Sequence, residues 1–219
     1  NTMIEPIGTM SHMPVPKGAT IDPARTRAAI LAAATEVLYE RGIDGVGVAE
    51  LCSRIGVSKE TLYRHFGTKD GLVRAMLEAR SARIHGWLSD AVASAGEDPA
   101  AQLSAVFDAL GRWYEEPTFR GCAMMNAAAQ HHDRATRTIT ALHLNGHLDL
   151  LRAIATRAGV TDPDVLARQL LMIMEGATIV ADQHGAAKVS EHARGAALAL
   201  LASAVGERAS ADSVSPEVS

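Results

Sequence analysis

The spacing of apolar residues along the chain is that of α-helices. In the first periodic segment, apolar side chains recur at i, i+4, i+7 and i+8, which is one face of a helix: Ile30, Ala34, Val37 and Leu38. Asp22 is a good N-cap, Pro23 suits the first helical position, and Gly42 ends the segment. No segment shows the alternating pattern of a strand. The pattern predicts an all-α protein.

The same criteria predict about nine helices, at residues 23–41, 48–55, 59–66, 69–94, 100–115, 121–131, 134–158, 163–184 and 189–206. We divide the chain into a three-helix domain at residues 21–67 and a larger helical domain at residues 68–208. Residues 1–20 are broken by Pro and Gly and contain Ser11-His12-Met13, typical of a cloning scar. We expect them to be flexible, and we expect residues 209–219 to form a disordered tail.

Two of the short helices form a helix-turn-helix pattern. A tight turn, Ile55-Gly56-Val57-Ser58, joins residues 48–55 to residues 59–66. Leu62 and Phe66 supply the packed face of the second helix. Its other side chains are left facing outward: Lys59, Glu60, Thr61, Tyr63, Arg64 and His65. Such a helix can enter the major groove of DNA, although a solvated helix in an all-α protein has the same composition.

Residues 27–77 favour the DNA-binding reading, because they resemble the N-terminal domain of the tetracycline-repressor (TetR) family. The matching pieces are Ile30-Leu31-x-Ala33-Ala34, Val48-Ala49-Glu50-Leu51, Gly56-Val57-Ser58, Thr61-Leu62-Tyr63-x-His65-Phe66 and Lys69-Asp70-x-Leu72. The resemblance implies a set of DNA-contacting residues: Arg27, Gly47, Val48, Ser58, Lys59, Glu60, Thr61, Tyr63, Arg64, His65 and Lys69. Within it, Lys59, Thr61 and Arg64 would face the bases, while Tyr63, His65 and Lys69 would hold the phosphate backbone.

Two positions depart from the family pattern. Gly47 stands where the family usually has Ser or Thr, so a hydroxyl contact to phosphate is lost and only the backbone N–H remains. Gly71, in the first turn of the fourth helix, replaces the usual Glu and favours a helix less.

Residues 163–184 are apolar on several sides, which is typical of a helix buried in a core or an interface. The resemblance implies a homodimer, with two helices from each subunit forming a four-helix interface. The predicted interface residues are Leu166, Leu170, Ile173, Ala177, Leu198, Leu201 and Val205. The alternative is that this stripe packs in the core of a single chain.

A small-molecule pocket is expected in the larger domain. His143 and His147 lie within the apolar arc of one helix, and pockets combine apolar walls with a few polar groups. The predicted ligand-binding residues are Trp87, Trp113, Met124, Asn126, His143, His147 and Met174. The two histidines have a metal-ligand spacing, but no third ligand is evident, so we predict no metal and no cofactor. The alternative is that both histidines only pack.

The charge distribution along the chain is mildly asymmetric, in the direction that suits a DNA-binding end joined to an acidic body. The net charge is −4, yet residues 23–80 hold nine Lys and Arg against seven Asp and Glu, while the remaining residues hold twelve against eighteen. We find no nucleophile–base motif. The two cysteines do not form a disulfide framework, and no apolar run could span a membrane, so we expect a cytoplasmic protein.

The resulting hypothesis is a repressor that leaves a palindromic operator when it binds a small, mainly apolar ligand. The alternatives are a DNA-binding regulator with no small-molecule effector, and an activator.

Overall fold

The computed structural model describes residues 22–213, with side chains from residue 22 to residue 207. The predicted flexible segment at residues 1–20 lies outside the described residues. Over residues 22–213 the structure contains nine α-helices and no strand, so the all-α prediction is confirmed. The helices are α1 (Pro23–Arg41), α2 (Val48–Ile55), α3 (Lys59–Phe66), α4 (Lys69–Ser94), α5 (Pro99–Tyr114), α6 (Ala123–Gln130), α7 (Arg134–Arg157), α8 (Pro163–His184) and α9 (Val189–Ser213).

The helix starts follow from side-chain caps, which satisfy the first backbone N–H groups of a helix. Asp22 accepts a hydrogen bond from the amide of Ala24, and Asp98 and Asp133 cap α5 and α7 in a similar way. The last helix runs to Ser213, beyond the predicted helix end at residue 206 and into the predicted disordered tail, of which residues 214–219 lie outside the described residues. That part of the prediction is wrong because Ala, Glu and Arg in this stretch are good helix formers.

The chain divides into two compact units, and the boundary falls inside α4, between Met76 and Leu77. The first unit has a small core of leucines from each of its helices: Leu38, Leu51, Leu62 and Leu72, each at most 1% exposed. This core is what holds the short helices α2 and α3, since helices of eight residues are not stable alone.

The second unit is built from packed helices. Helix α5 packs against α9, α7 packs against α8, and α6 packs against α7. Phe107, Leu151 and Ile154 are fully buried at its centre. Tyr114 adds a polar link, because its hydroxyl lies 2.9 Å from Oγ1 of Thr178 on α8. Within residues 22–213, none of the helices combines the length and apolar character that crossing a membrane would need.

The outward face of α8 differs from the prediction. Of the predicted interface residues, four are buried in the chain's own core: Leu166, Leu170, Ala177 and Leu201. The exposed apolar residues of α8 are instead Val165, Met172, Ile179 and Val180. Periodicity did not separate these stripes, because α8 is apolar on several sides and the pattern does not say which stripe meets α7 and α9. Ile173 and Leu198 are half-buried, and Val205 is exposed.

Candidate functional site

The turn between α2 and α3 has the geometry of a helix-turn-helix. Gly56 adopts φ 71° and ψ 30°, the left-handed conformation that glycine takes without steric penalty. The amide of Val57 donates to the carbonyl of Cys52 at 3.0 Å. Ser58 then caps α3, because its Oγ accepts from the amide of Thr61 at 3.1 Å. These local bonds fix where α3 begins and which side chains it exposes.

Helix α3 is anchored by one face and open on the other. Leu62 is fully buried, while Tyr63 is 42% exposed. Lys59, Glu60 and Arg64 are exposed, and Thr61 and His65 are half-buried. All the side chains that the sequence assigned to the DNA-facing side of α3 therefore have access to solvent.

Arg64 and Glu60 form an ion pair on the exposed face of α3. Nη2 of Arg64 lies 2.7 Å from Oε1 of Glu60, one turn earlier on the exposed face. An exposed pair of this kind contributes little to stability. Arg64 is therefore free to exchange the carboxylate for a base edge or a phosphate.

The other predicted DNA-contacting residues lie at the ends of neighbouring helices. The guanidinium of Arg27 on α1 stands 4.8 Å from the ring centroid of Phe66, a cation–π contact that joins α1 to the end of α3. Nζ of Lys69, at the start of α4, donates to the carbonyl of Ile43 at 2.5 Å. An ammonium has three donors, so this bond positions Lys69 and leaves donors for a phosphate.

The start of α2 lacks a side chain that could cap the helix or contact a phosphate. Gly47 is exposed and makes no side-chain cap, and Val48 is half-buried. A Cβ added at Gly47 would meet nothing within 4 Å. The space for a capping hydroxyl is present, and the residue that would supply it is absent.

Both the helix-turn-helix and the whole fold are similar to known proteins. Residues 30–76 match the family model described as bacterial regulatory proteins, tetR family. A TetR-transcriptional regulator from Streptomyces avermitilis has a solved structure that is 30% identical, with 82% of this chain and 97% of that chain covered and a TM-score of 0.71. The chain belongs to the TetR family.

Two further relatives support the same assignment for this TetR-family protein. A TetR-family transcriptional regulator from Streptomyces coelicolor has a solved structure that is 29% identical, covering 83% of this chain and 97% of that chain with a TM-score of 0.78. An HTH-type transcriptional repressor from Mycobacterium tuberculosis is 35% identical over 85 residues, which is 39% of this chain. That match spans 42% of the relative's length. Membership of this family makes the TetR-family protein a DNA-binding transcriptional regulator.

The second unit of the TetR-family protein contains a cluster of three histidines. His85 lies on α4, and His143 and His147 lie one turn apart on α7. The rings of His85 and His143 stack with centroids 4.9 Å apart, and the ring of His147 meets both edge-on, at 5.1 and 4.3 Å. His143 and His147 are 1% and 5% exposed, while His85 is half-buried.

A glycine makes this arrangement possible. A Cβ added at Gly146 would lie 2.3 Å from Cε1 and 2.5 Å from Nε2 of His85. The absence of a side chain lets the His85 ring lie against the backbone of α7, where its Nε2 donates to the carbonyl of His143 at 2.9 Å. Gly146 in the middle of a long helix is the one sequence signal that could have indicated a close neighbour here.

Each of the other two histidines is oriented by a polar partner. Nδ1 of His143 lies 2.9 Å from Oγ of Ser81 on α4, and Nδ1 of His147 lies 3.2 Å from Oε1 of Glu175 on α8. Nε2 of His143 lies 3.8 Å from Sγ of Cys122. The sequence pattern does not predict Ser81, His85, Cys122 and Glu175 as neighbours of these histidines, because each is far from them along the chain.

Burial disfavours the protonated form of two of the three histidines, His143 and His85. Burial lowers the pKa of His143 to about 3, and the positive charges of His147, His85 and Arg80 act in the same direction. Burial also lowers the pKa of His85. Burial raises the pKa of the Cys122 thiol to about 11, with the Glu175 carboxylate adding to the effect. Neutral imidazoles have a free lone pair on one ring nitrogen.

A small cavity adjoins the cluster. It is lined by Ile84, Leu110, Trp113, Cys122, His143, His147, Met174, Glu175 and Thr178. Its free volume is about enough for a single water molecule. Four of the predicted ligand-binding residues therefore do line one cavity: Trp113, His143, His147 and Met174.

The other three predicted pocket residues lie elsewhere. The Trp87 ring packs edge-on against Trp113, with centroids 6.5 Å apart. Met124 is fully buried on α6. Asn126 is exposed, and its Nδ2 donates to the carbonyl of Arg120 at 2.7 Å. The prediction placed Asn126 in a pocket because of its apolar neighbours, but its position on α6 turns it outward.

Proposed function

We propose that this protein is a homodimeric repressor that binds a palindromic operator through α3 and is released by an effector bound in the second unit. The observation that carries the proposal is the exposed face of α3. Lys59, Tyr63 and Arg64 are accessible while Leu62 fixes the helix to its own core. That division is what a recognition helix in the major groove requires. The mycobacterial relative is described as a repressor.

The homodimer is supported by the apolar stripe on α8. Val165, Met172 and Ile179 follow one another at intervals of seven residues, and their exposed fractions are 47–66%. Exposed apolar residues repeated at this spacing form a seam along a helix, which a second copy of the same helix can cover. A two-fold dimer would present two α3 helices to successive major grooves, about 34–36 Å apart.

Effector control is supported by the continuity of α4, which starts at Lys69 in the first unit and carries Ser81 and His85 in the second. An effector that binds one arrangement of α4 better than another would change DNA affinity by the same differential free energy. A typical coupling of about 1–3 kcal/mol corresponds to a 5–150-fold change.

The size of the cavity favours a second candidate, a regulator without an organic effector. A site for a drug-sized apolar ligand has a volume of about 300–1,000 Å³, whereas this cavity holds about one water. An apolar effector would have to open the space between Trp113 and Met174.

Selection of binding sites from random DNA duplexes tests the proposal. The purified chain should enrich a palindrome whose half-sites lie one helical turn apart. Helix α3 should be the element that contacts its bases. Enrichment of a single, non-repeated half-site would contradict the dimeric mode, and no enrichment would contradict operator recognition.

A further inference from the structure

The three-histidine cluster brings together ring nitrogens that can act as metal ligands. One ring nitrogen from each of His85, His143 and His147 lies within 4.8 Å of those of the other two. In addition, Nε2 of His147 is buried and has no hydrogen-bond partner in the part of the chain that the structure describes. A buried polar atom without a hydrogen-bond partner destabilises the folded protein, so its presence calls for an explanation.

We propose that His85, His143 and His147 bind a divalent transition-metal ion of the Zn²⁺ type. Imidazole nitrogen is a preferred ligand of zinc, copper, nickel and iron, and three protein ligands leave a fourth position open. The neighbouring cavity has room for about one water molecule, which suits that open position.

Hydrogen bonding already orients two of the imidazoles as metal ligands. A carbonyl oxygen can only accept, so Nε2 of His85 carries the proton that it donates to the backbone carbonyl of His143. The lone pair of the His85 ring therefore remains on its Nδ1. A carboxylate accepts in the same way from Nδ1 of His147, which leaves the lone pair on its orphaned Nε2. Bonds of this kind, from the second nitrogen to a carbonyl or carboxylate, are usual around metal-binding histidines.

His143 differs, because both of its ring nitrogens have a polar neighbour: Nδ1 lies 2.9 Å from the Ser81 hydroxyl, and Nε2 lies 3.8 Å from the Cys122 thiol, a weak contact that a metal at Nε2 would replace. The positive charge of Arg80 opposes a cation here, and the Glu175 carboxylate offsets it.

The geometry requires a modest adjustment. Zinc–nitrogen bonds of about 2.0–2.1 Å in a tetrahedral site place the nitrogens roughly 3.4 Å apart. Rotations of the three side chains must therefore draw them together by about 1 Å or slightly more. His85 is half-buried and has the freedom to do so.

A metal in this position would join α4 to α7. The binding site itself does not depend on the proposed function. The effect of the metal on DNA binding does depend on the proposed function, because an ion that favours one arrangement of α4 would act as the effector. Such an ion would also fit a cavity too small for an organic ligand.

Cobalt titration of the full, chelator-stripped chain tests the site, because four-coordinate Co²⁺ has a visible absorption that a hydrated ion lacks. We expect one Co²⁺ per chain, displaced by Zn²⁺. His85→Ala should weaken binding by at least about 100-fold, and Ser81→Ala by about 10–100-fold, the usual range for an outer-shell partner. The exposed histidines provide the controls, since His184→Gln and His192→Gln should leave the affinity unchanged.

Gly146→Ala is the sharpest variant, because it keeps all three ligands and displaces the His85 ring. It should weaken Co²⁺ binding by about 10-fold or more while the helical circular dichroism stays that of the wild type. Absence of stoichiometric Co²⁺ binding, or undiminished binding by both His85→Ala and Gly146→Ala, would overturn the proposal.

A second measurement separates the site from the proposed function. Affinity for the selected palindromic duplex is measured with Zn²⁺ and with a chelator. A change that disappears in His85→Ala supports the metal as effector. Tight metal binding without any change in DNA affinity supports the site and contradicts its role in release. Failure to select any duplex defeats the proposed function and leaves the cobalt result standing.

Discussion

The α-carbon of Gly71 faces the carbonyl oxygen of Phe66 so closely that a Cβ at residue 71 would lie 2.0 Å from that oxygen. The contact involves backbone, which cannot rotate away as a side chain can. The glutamate that is usual here in the family could not be placed without a shift at the junction between α3 and α4. Glycine at this position therefore has a local steric cause.

Gly71→Ala should destabilise the protein by about 1–3 kcal/mol, the range for an overpacked contact. Gly86→Ala in the same helix is the matched control, because a Cβ there meets nothing within 4 Å. It should stabilise by about 0.5–1 kcal/mol, since alanine is the better helix former. Urea unfolding of both variants checks the opposite signs, and equal effects would contradict the steric explanation.

Lys69→Ala should weaken binding to all DNA sequences alike. Its ammonium is held by the Ile43 carbonyl near the end of α3 and is placed for a phosphate contact. Loss of one phosphate contact should reduce the slope of log affinity against log salt by about 1. Tyr63→Phe should also weaken binding without changing sequence preference. Fluorescence anisotropy over a salt series measures both, and an unchanged slope for Lys69→Ala would remove it from the interface.

Arg64→Ala should instead relax sequence preference. A contact to a base edge contributes about 1–3 kcal/mol of discrimination, and Arg64 is held only by an exposed pair with Glu60. Thr61→Ala should act in the same direction. The measurement is affinity for the selected duplex against single-base variants of it. Uniform weakening across all of them would show that Arg64 contacts only phosphate.

We expect the wild-type chain to be a dimer at micromolar concentration and Met172→Glu to be a monomer, because the substitution places a charge in the middle of the exposed α8 seam. Met172 is 66% exposed in the single chain, so folding of the chain should be unaffected. Leu142→Glu is the control, since Leu142 on α7 is exposed to a similar degree, 63%, outside the seam. Sedimentation velocity reports the mass, and dissociation by both variants alike would argue against a specific α8 seam.

His143 should make the chelator-treated protein less stable as pH falls below about 6.5. Its pKa is about 3 in the folded protein and about 6.5 when unfolded. Between these values the unfolded chain binds more protons, so the free energy of unfolding rises with pH, by up to about 1.4 kcal/mol per pH unit. His85 contributes with the same sign, because its pKa is also lowered.

His143→Gln should reduce this pH dependence, and His192→Gln, an exposed substitution, should keep it. Thermal unfolding at pH values from about 4 to 7 compares the two. A slope in His143→Gln that equals the wild-type slope would show that folding does not lower the pKa of His143.

The local signals in the sequence decide the helices. The caps Asp22, Ser58 and Asp133 and the left-handed Gly56 act within one turn of chain, so they are readable without a structure. The helix-turn-helix and the exposed residues of α3 follow from them. Only the end of α9 was set too early, because helix ends without a glycine or proline stop carry a weak signal.

Long-range packing decides the rest. Whether Leu170 or Met172 faces the core depends on where α7 and α9 lie, and a helix that is apolar on several sides does not encode it. His85 meets His143 across 58 residues of chain, which no spacing rule anticipates. The sequence alone therefore determined the helices and the recognition helix, since both depend on local bonds. The tertiary structure alone decided the α8 seam, the water-sized cavity and the three-histidine cluster, since each depends on which helices pack together.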